Sequence, residues 1–435
     1  MMQYFSTRDP QKQKIAASTA IVRGLAPDGG LYVPSEFPIL EHFIGKPYND
    51  IALEVLKLYL TDFSEEELAS YIQSAYEVYH PVKLNGDYLE LFHGATLAFK
   101  DVALQLFPYL LTAALAKNGV DQTAVILAAT SGDTGSAVLA GIANVPKTKA
   151  IVFYPENGVS SVQRLQMTTK VGDNVHVFGI KGNFDDAQTG VKAIFSDDTF
   201  KSQFSDQYFF TSANSINLGR LLPQVVYYFY TYSQLVESGE ISEGDNINFV
   251  VPTGNFGNIL AGYYAKQMGL PVHKLICATN KNDVLDEFFK TGVYNHDRDF
   301  HLTLSPSMDI LISSNLERLT YKARDLSLFD SGSATDEETL ATIKKVYEAD
   351  GYMLDPHTAV AKCVYDKYRA KTGDATVSII VSTAAPHKFP EAVMQAVGEK
   401  LDQAPEQIAH LEKAPVLHPE VVSDLKTAIA EVLTC

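Results

Sequence analysis

At 435 residues the chain exceeds the usual length of one domain, so two or three packed units are expected. An apolar share of 46% supplies ample core material and excludes a disordered or fibrous chain. The balance of 35 basic against 52 acidic residues leaves a net charge of −17. That charge argues against nucleic acid or an anionic membrane as partner, and any anionic substrate would need a local cationic pocket. Cys277, Cys363 and Cys435 lie far apart, fit no metal spacing and form no even-numbered framework, so no metal is expected and the compartment reads as reducing. Met1–Lys14 is polar and mixed in charge, without an apolar signal core, and no run reaches the length of a membrane span. A soluble cytoplasmic protein is the expectation.

In chain order, the first eighty or so residues carry helices at Asp50–Leu60 and Ser64–Val78, with Pro34, Pro38 and Pro47 interrupting the chain, and read as a separate N-terminal unit. Lys100 opens a long, nearly charge-free helix that continues through Leu106, Leu110, Leu111 and Leu115. The apolar run Ala124–Ala129 leads into a turn at Ser131–Gly135 and a helix of small residues. Ala150–Tyr154 precedes Asn157–Gly158 and a helix from Ser160; Ile247–Val251 precedes Thr253–Asn258 and a helix to Met268. Leu275–Ala278 and Val377–Val381 read as further buried strands. Strand, glycine-bearing turn and helix in alternation indicate an α/β protein with parallel-rich sheets, whose ligands collect at the carboxyl ends of the strands.

Five stretches carry candidate chemistry. Lys100, at the start of an apolar helix, meets the positive end of the helix dipole and a desolvation cost, both of which favour the neutral amine. That is the form Schiff-base chemistry needs; a lysine snorkelling from a helix end is the alternative. Asp101 next to it does not face it on a helix. The turn Ser131-Gly-Asp-Thr-Gly135 exposes backbone N–H groups suited to an anion, unless it is an ordinary capped βα turn. Gly254-Asn-Phe-Gly-Asn258 can curl around a bare phosphate with a helix from about Ile259 pointing at it; lacking a P-loop lysine and dinucleotide spacing, it implies neither ATP nor NAD. A tight turn with Asn in left-handed geometry is its alternative. Ser382 and Thr383 follow a strand and could reach a ring nitrogen, or start a plain turn. Asn214, Ser215, Asn217 and Arg220 lie within seven residues and make either an oxyanion clamp or a capped helix start with a surface arginine.

The order of these stretches resembles that of fold type II pyridoxal-phosphate (PLP) enzymes, the tryptophan synthase β-like class. The wording Thr96-Leu-Ala-Phe-Lys100-Asp, Thr130-Ser-Gly-Asp-Thr-Gly135 and Pro252-Thr-Gly-Asn-Phe-Gly257 is similar to the threonine synthase family. So are the opening Tyr4-Phe-Ser-Thr-Arg8 and Gly24-Leu-Ala-Pro-Asp-Gly-Gly-Leu-Tyr-Val-Pro34. The resemblance implies two α/β domains plus an N-terminal unit over 1–82. The catalytic region would span 83–435, with a smaller subdomain at about 106–213 and a larger one at about 83–105 and 214–435. It implies that Lys100 carries PLP and serves as acid and base, that the backbone of Gly254, Asn255, Phe256, Gly257 and Asn258 holds the cofactor phosphate, and that Thr383, rather than Ser382, meets the pyridine nitrogen. Ser131, Gly132 and Thr134 would receive the substrate α-carboxylate, and Asn214, Ser215, Asn217 and Arg220 its phosphate, with Lys388 the alternative reader. Asp133 stands where many relatives carry asparagine against the cofactor's phenolic oxygen; its charge there requires a shared proton or another role. Leu218 stands where many have tryptophan, a packing change. The implied reaction converts O-phospho-L-homoserine and water to L-threonine and phosphate by γ-elimination and β-hydration. A serine/threonine dehydratase-like enzyme, which needs no phosphate clamp, and a catalytically silent metabolite-binding relative are the alternatives. A monomer or homodimer without dedicated effector regulation is expected.

Overall fold

The computed structural model describes residues 1–77, 81–323, 325–398, 401 and 404–434; Val78, the expected end of a helix, and Cys435 lie outside them. In chain order the strands are β1 (Tyr4–Ser6), β2 (Tyr32–Pro34), β3 (Lys83–Asn85), β4 (Tyr88–Glu90), β5 (Thr123–Ala129), β6 (Thr148–Pro155) and β7 (Val175–Ile180). They continue with β8 (Tyr208–Ser212), β9 (Ile247–Pro252), β10 (Val272–Thr279), β11 (Phe329–Ser333), β12 (Ser378–Ser382) and β13 (Val421–Val422). β1 and β2 pair antiparallel. A six-stranded sheet runs β11-β10-β9-β12-β4-β3 and is parallel except for the β3–β4 hairpin. A five-stranded, wholly parallel sheet runs β13-β7-β6-β5-β8.

Parallel strands are covered on both faces, which is why β5, β6 and β9 appear in the sequence as continuous apolar runs. On the five-stranded sheet, Val125, Leu127, Ile151 and Phe153 pack against the helices Phe184–Phe195 and Leu425–Thr434. The alternate residues Ala124, Ile126, Ala128, Ala150 and Val152 turn to the opposite face and join the main core. On the six-stranded sheet, Val250, Ile276 and Ile380 pack against Val360 and Val364 of the helix Pro356–Thr372.

The N-terminal residues pack on the rest of the chain: Ile51, Val55 and Leu56 belong to the same buried cluster as Val225 and Phe229 of the helix Leu218–Ser238. Two expectations need correction. The C-terminal β13 and the helix after it belong to the five-stranded sheet, so the larger subdomain does not run unbroken from 214 to 435. The helix opened by Lys100 ends at Leu104, and a second spans Phe107–Lys117. Pro108 has no N–H to return to the Leu104 carbonyl, so the ladder is interrupted there. The backbone of Gly141 occupies the space, and a Cβ on it would stand 2.3 Å from that oxygen.

Candidate active site

All five candidate stretches follow the carboxyl end of a parallel strand: β4 leads to Lys100, β5 to Ser131, β8 to Asn214, β9 to Gly254 and β12 to Thr383. The lysine segment is pinned beside the end of β12, where Phe99 N–H donates to the Thr383 carbonyl at 2.8 Å and Ala385 N–H to the Leu97 carbonyl at 3.0 Å. Asp101 is fully buried and turned away from Lys100, accepting from Thr96 N at 2.8 Å and Thr96 Oγ1 at 2.7 Å.

The Lys100 side chain is 11% exposed, its Nζ 3.7 Å from Asp133 Oδ2. Burial lowers the ammonium to about 8; Asp133 opposes the shift, while Arg220 and Lys388 add to it. Asp133 opens the helix Asp133–Ile142. Burial alone would raise its carboxyl, but Lys388 and Lys100 outweigh it and hold the group well below the usual carboxylate range. Its Oδ1 accepts from Gln163 Nε2 at 2.8 Å and from Lys388 Nζ at 2.8 Å, its Oδ2 from Ser307 Oγ at 2.9 Å. Asp133 is therefore ionised, and Lys388, completely buried, is paired with it and does not face the cleft as a phosphate reader.

At the turn before this helix, Thr130 Oγ1 takes the N–H groups of Gly132 and Gly135 at 2.9 and 2.8 Å. The part of Gly132 is conformational: its φ is 122°, and a Cβ there would stand 2.3 Å from Gln163 Cδ. Ser131 lines a cleft of about 570 Å³, with Asn157 and Gly158 on its side and His301, Pro306 and Asp309 opposite. Thr134, half-buried, lies one residue into the helix.

The loop Gly254–Asn258 bends through Phe256 in left-handed geometry, φ 63°, and the helix begins at Gly257, two residues earlier than expected. Asn315 joins this loop to the Asn214–Arg220 stretch: its Nδ2 donates to the Asn255 carbonyl and to Ser215 Oγ, both at 3.1 Å. Asn258 Oδ1 receives the hydroxyls of Tyr227 and Tyr228, each at 2.7 Å.

Asn217 does not join a clamp. Its Oδ1 caps the following helix at Gly219 N, and its Nδ2 donates to the carbonyls of Ile21 and Ser212, all at 2.9 Å. Arg220 is different: 2% exposed, it donates from Nη1 to the Ala213 carbonyl at 2.5 Å and has no acidic partner among the described residues. Burial lowers it to about 10, which leaves it charged at neutral pH. Arg318, also buried, spends its guanidinium on the carbonyls of Tyr32 and Ile216 and on Asn315 Oδ1. At the end of β12 the Ser382 hydroxyl meets Thr358 Oγ1 at 3.0 Å, while the buried Thr383 makes no side-chain hydrogen bond among the described residues.

Around this centre Arg220 Nε, Asn214 Oδ1, Asn255 Oδ1 and Asn258 Nδ2 are buried without a partner among the described residues. Buried polar atoms are rarely left so. The two donors, Arg220 Nε and Asn258 Nδ2, suit a phosphate, and the amide oxygens of Asn214 and Asn255 suit groups that donate, a combination that fits PLP with its substrate. Gln163, Ser307 and Asn315 were missed from sequence; Lys388 was singled out there only as an alternative reader of the phosphate, not as the partner of Asp133.

Comparison with known proteins agrees. A family model for pyridoxal-phosphate dependent enzymes matches residues 89–383, one for the threonine synthase N terminus residues 3–76, and one for the threonine synthase C-terminal region residues 358–432. The threonine synthase of Pseudomonas aeruginosa is 41% identical, over 94% of this chain and 93% of that protein. That of Saccharomyces cerevisiae is 37% identical, over 99% and 98%. The crystal structure of PLP-bound threonine synthase from Brucella melitensis superposes with a TM-score of 0.88 at 37% identity, covering 100% of this chain and 99% of that one. With the lysine, the orphaned polar atoms and both family-specific ends in place, the chain belongs to the threonine synthase family of fold type II PLP-dependent lyases.

Proposed function

We propose that the protein converts O-phospho-L-homoserine and water to L-threonine and inorganic phosphate, the last step of threonine biosynthesis. The observation that carries this is Arg220, a buried guanidinium beside the reactive lysine with no acidic partner among the described residues. A dehydratase acting on serine or threonine has no use for such a cation, whereas a phosphate ester in a protein of net charge −17 requires one.

PLP, when bound, withdraws electrons from the substrate's Cα and so lowers the cost of removing its proton. The chain's own residues do the rest. Backbone N–H groups at the start of the helix Gly257–Gln267, with the orphaned Nδ2 of Asn258, hold the cofactor's phosphate. The Thr383 hydroxyl offers the ring nitrogen a neutral hydrogen bond, which leaves it largely unprotonated. With Gly132 N–H committed to Thr130, the α-carboxylate is met by Ser131 and by the N–H groups of Ser131, Asp133 and Thr134. Arg220, Ser215 and Asn214 orient the phosphate. Lys100 takes the proton from Cα as an uncharged amine and moves protons at Cβ and Cγ. One proton leaves Cβ, the Cγ–O bond breaks and the phosphate leaves with its electron pair. A proton is added at Cγ, the oxygen of water bonds to Cβ as it loses a proton, and a proton returns to Cα, which gives threonine. Cys277 and Cys363 are buried free thiols, which supports a reducing compartment such as the cytoplasm.

The test is simultaneous measurement of phosphate and threonine formed from O-phosphohomoserine. Equal amounts are expected. Phosphate without threonine, or faster turnover of serine or threonine to oxo acids, would overturn the proposal.

A further inference from the structure

Lys388 lies in the turn Pro386–Lys388 that follows β12, with no exposed surface at all. Its ammonium donates to the Thr96 carbonyl at 2.7 Å and pairs with Asp133 Oδ1 at 2.8 Å. A lysine so buried is tolerated only when paired, and nothing in the reaction above uses it.

Asp133 has two lysine neighbours. Lys388 touches one carboxylate oxygen, and Lys100 stands 3.7 Å from the other. Alone with Lys100, a buried carboxylate would hold that lysine as an ammonium, which can neither attack a carbon centre nor accept a proton. The other charged groups facing these residues do not replace Lys388. Arg220 approaches Lys100 from the helix Leu218–Ser238 and is itself a cation. His357 faces Asp133 from the start of the helix Pro356–Thr372, with its Nδ1 2.8 Å from Asp355 Oδ1 and its Nε2 accepting from Ser307 N–H at 3.2 Å. Asp101 faces Lys388 but is bonded to Thr96.

We propose that Lys388 is a positioning residue, the cation that claims Asp133 so that Asp133 does not lock Lys100 as an ammonium and Lys100 can give up its proton close to neutral pH. The ion pair is neutral as a unit; a proton on Lys100 would add a second uncompensated cation beside Arg220. When Lys100 takes a proton from the substrate, the nearby Oδ2 of Asp133 stabilises the ammonium for as long as it exists. The pair also spans the fold, since Asp133 opens a helix of the five-stranded unit and Lys388 follows a strand of the six-stranded one. The inference rests on the reading of Lys100 as the reactive amine.

The test uses the full-length protein stripped of PLP. Acylation of Lys100 by an amine-reactive reagent is followed against pH, at the Lys100 peptide, by mass spectrometry. The wild-type midpoint is expected near 8. Lys388→Met should move it upward, slowing labelling at pH 7 by about tenfold, and Lys388→Arg should restore it. A fold defect alone would expose Lys100 and speed labelling. Should Lys388→Met fail to fold, Lys388→Gln, which keeps a hydrogen-bond donor for Asp133 but carries no charge, takes its place and must also show the higher midpoint. An unchanged midpoint in folded Lys388→Met or Lys388→Gln overturns the proposal. Failure of the underlying reading looks different: borohydride reduction of the holoenzyme would then fix PLP on a residue other than Lys100.

Discussion

Replacing Arg220 by alanine separates a functional cation from a structural one. Among the described residues the guanidinium makes one hydrogen bond, from Nη1 to the Ala213 carbonyl, and its Nε is buried without a partner. A charged hydrogen bond to a phosphate oxygen is worth roughly 1.5–3 kcal/mol, so losing one should lower kcat/KM for O-phosphohomoserine by about ten- to two-hundred-fold. The folded state should hardly notice. Removing a buried charge with no acidic partner relieves its desolvation, which offsets the loss of one carbonyl bond of about 1 kcal/mol. The denaturation midpoint should therefore stay near that of the wild type. Any slow reaction on unphosphorylated serine or threonine should also be unaffected, and Arg220→Lys should recover only part of the loss because a point charge lacks the fork. The assay is kcat/KM on both substrate types for wild type, Arg220→Ala and Arg220→Lys, alongside urea denaturation. Equal losses on both substrates together with a lowered midpoint would show that Arg220 holds the fold and that the phosphate is read elsewhere.

Lys100→Ala should fold normally and lose essentially all turnover; a borohydride-reducible lysine adduct persisting in that variant would be incompatible with the assignment. Thr383→Asp should change the partition of products more than cofactor affinity, because a carboxylate keeps the ring nitrogen protonated; absorbance spectra unchanged across pH, with an unchanged product ratio, would contradict this. Asn217→Ala should cost about 1–2 kcal/mol of stability through the lost helix cap. Its kcat/KM should fall no more on phosphorylated than on unphosphorylated substrates, and a selective loss on the former would return Asn217 to the clamp.

The strands that frame the site were readable because a parallel strand covered on both faces must be apolar throughout, as in Ala124–Ala129 and Ile247–Val251. The interruption after Leu104 had a visible cause in Pro108, but its purpose lies in Gly141, whose close approach no local pattern announces. The same limit applied within the site. Asn217 and Arg220 stand three residues apart and look alike as donors, yet one is consumed by the carbonyls of Ile21 and Ser212 and the other keeps capacity to spare. Only the positions of partners far along the chain decide between them. The pairing of Asp133 with Lys388 was hidden for the same reason. Treating Asp133 as a lone charge overlooked the buried cation paired with it.

The five-stranded sheet takes its outermost strand from Val421–Val422, hydrogen-bonded to β7, whose own sequence was completed some 240 residues before. During synthesis on the ribosome, β7 therefore waits as an open edge, with unpaired N–H and C=O groups able to recruit another chain. The apolar positions Ile429, Val432 and Leu433, which cover Val125 and Leu127, arrive equally late. The unit that contributes Asp133 is thus sealed among the last parts of the protein, after the six-stranded sheet has all its strands. Nascent chains halted before residue 421 would be the aggregation-prone species, and chaperone demand should concentrate on them.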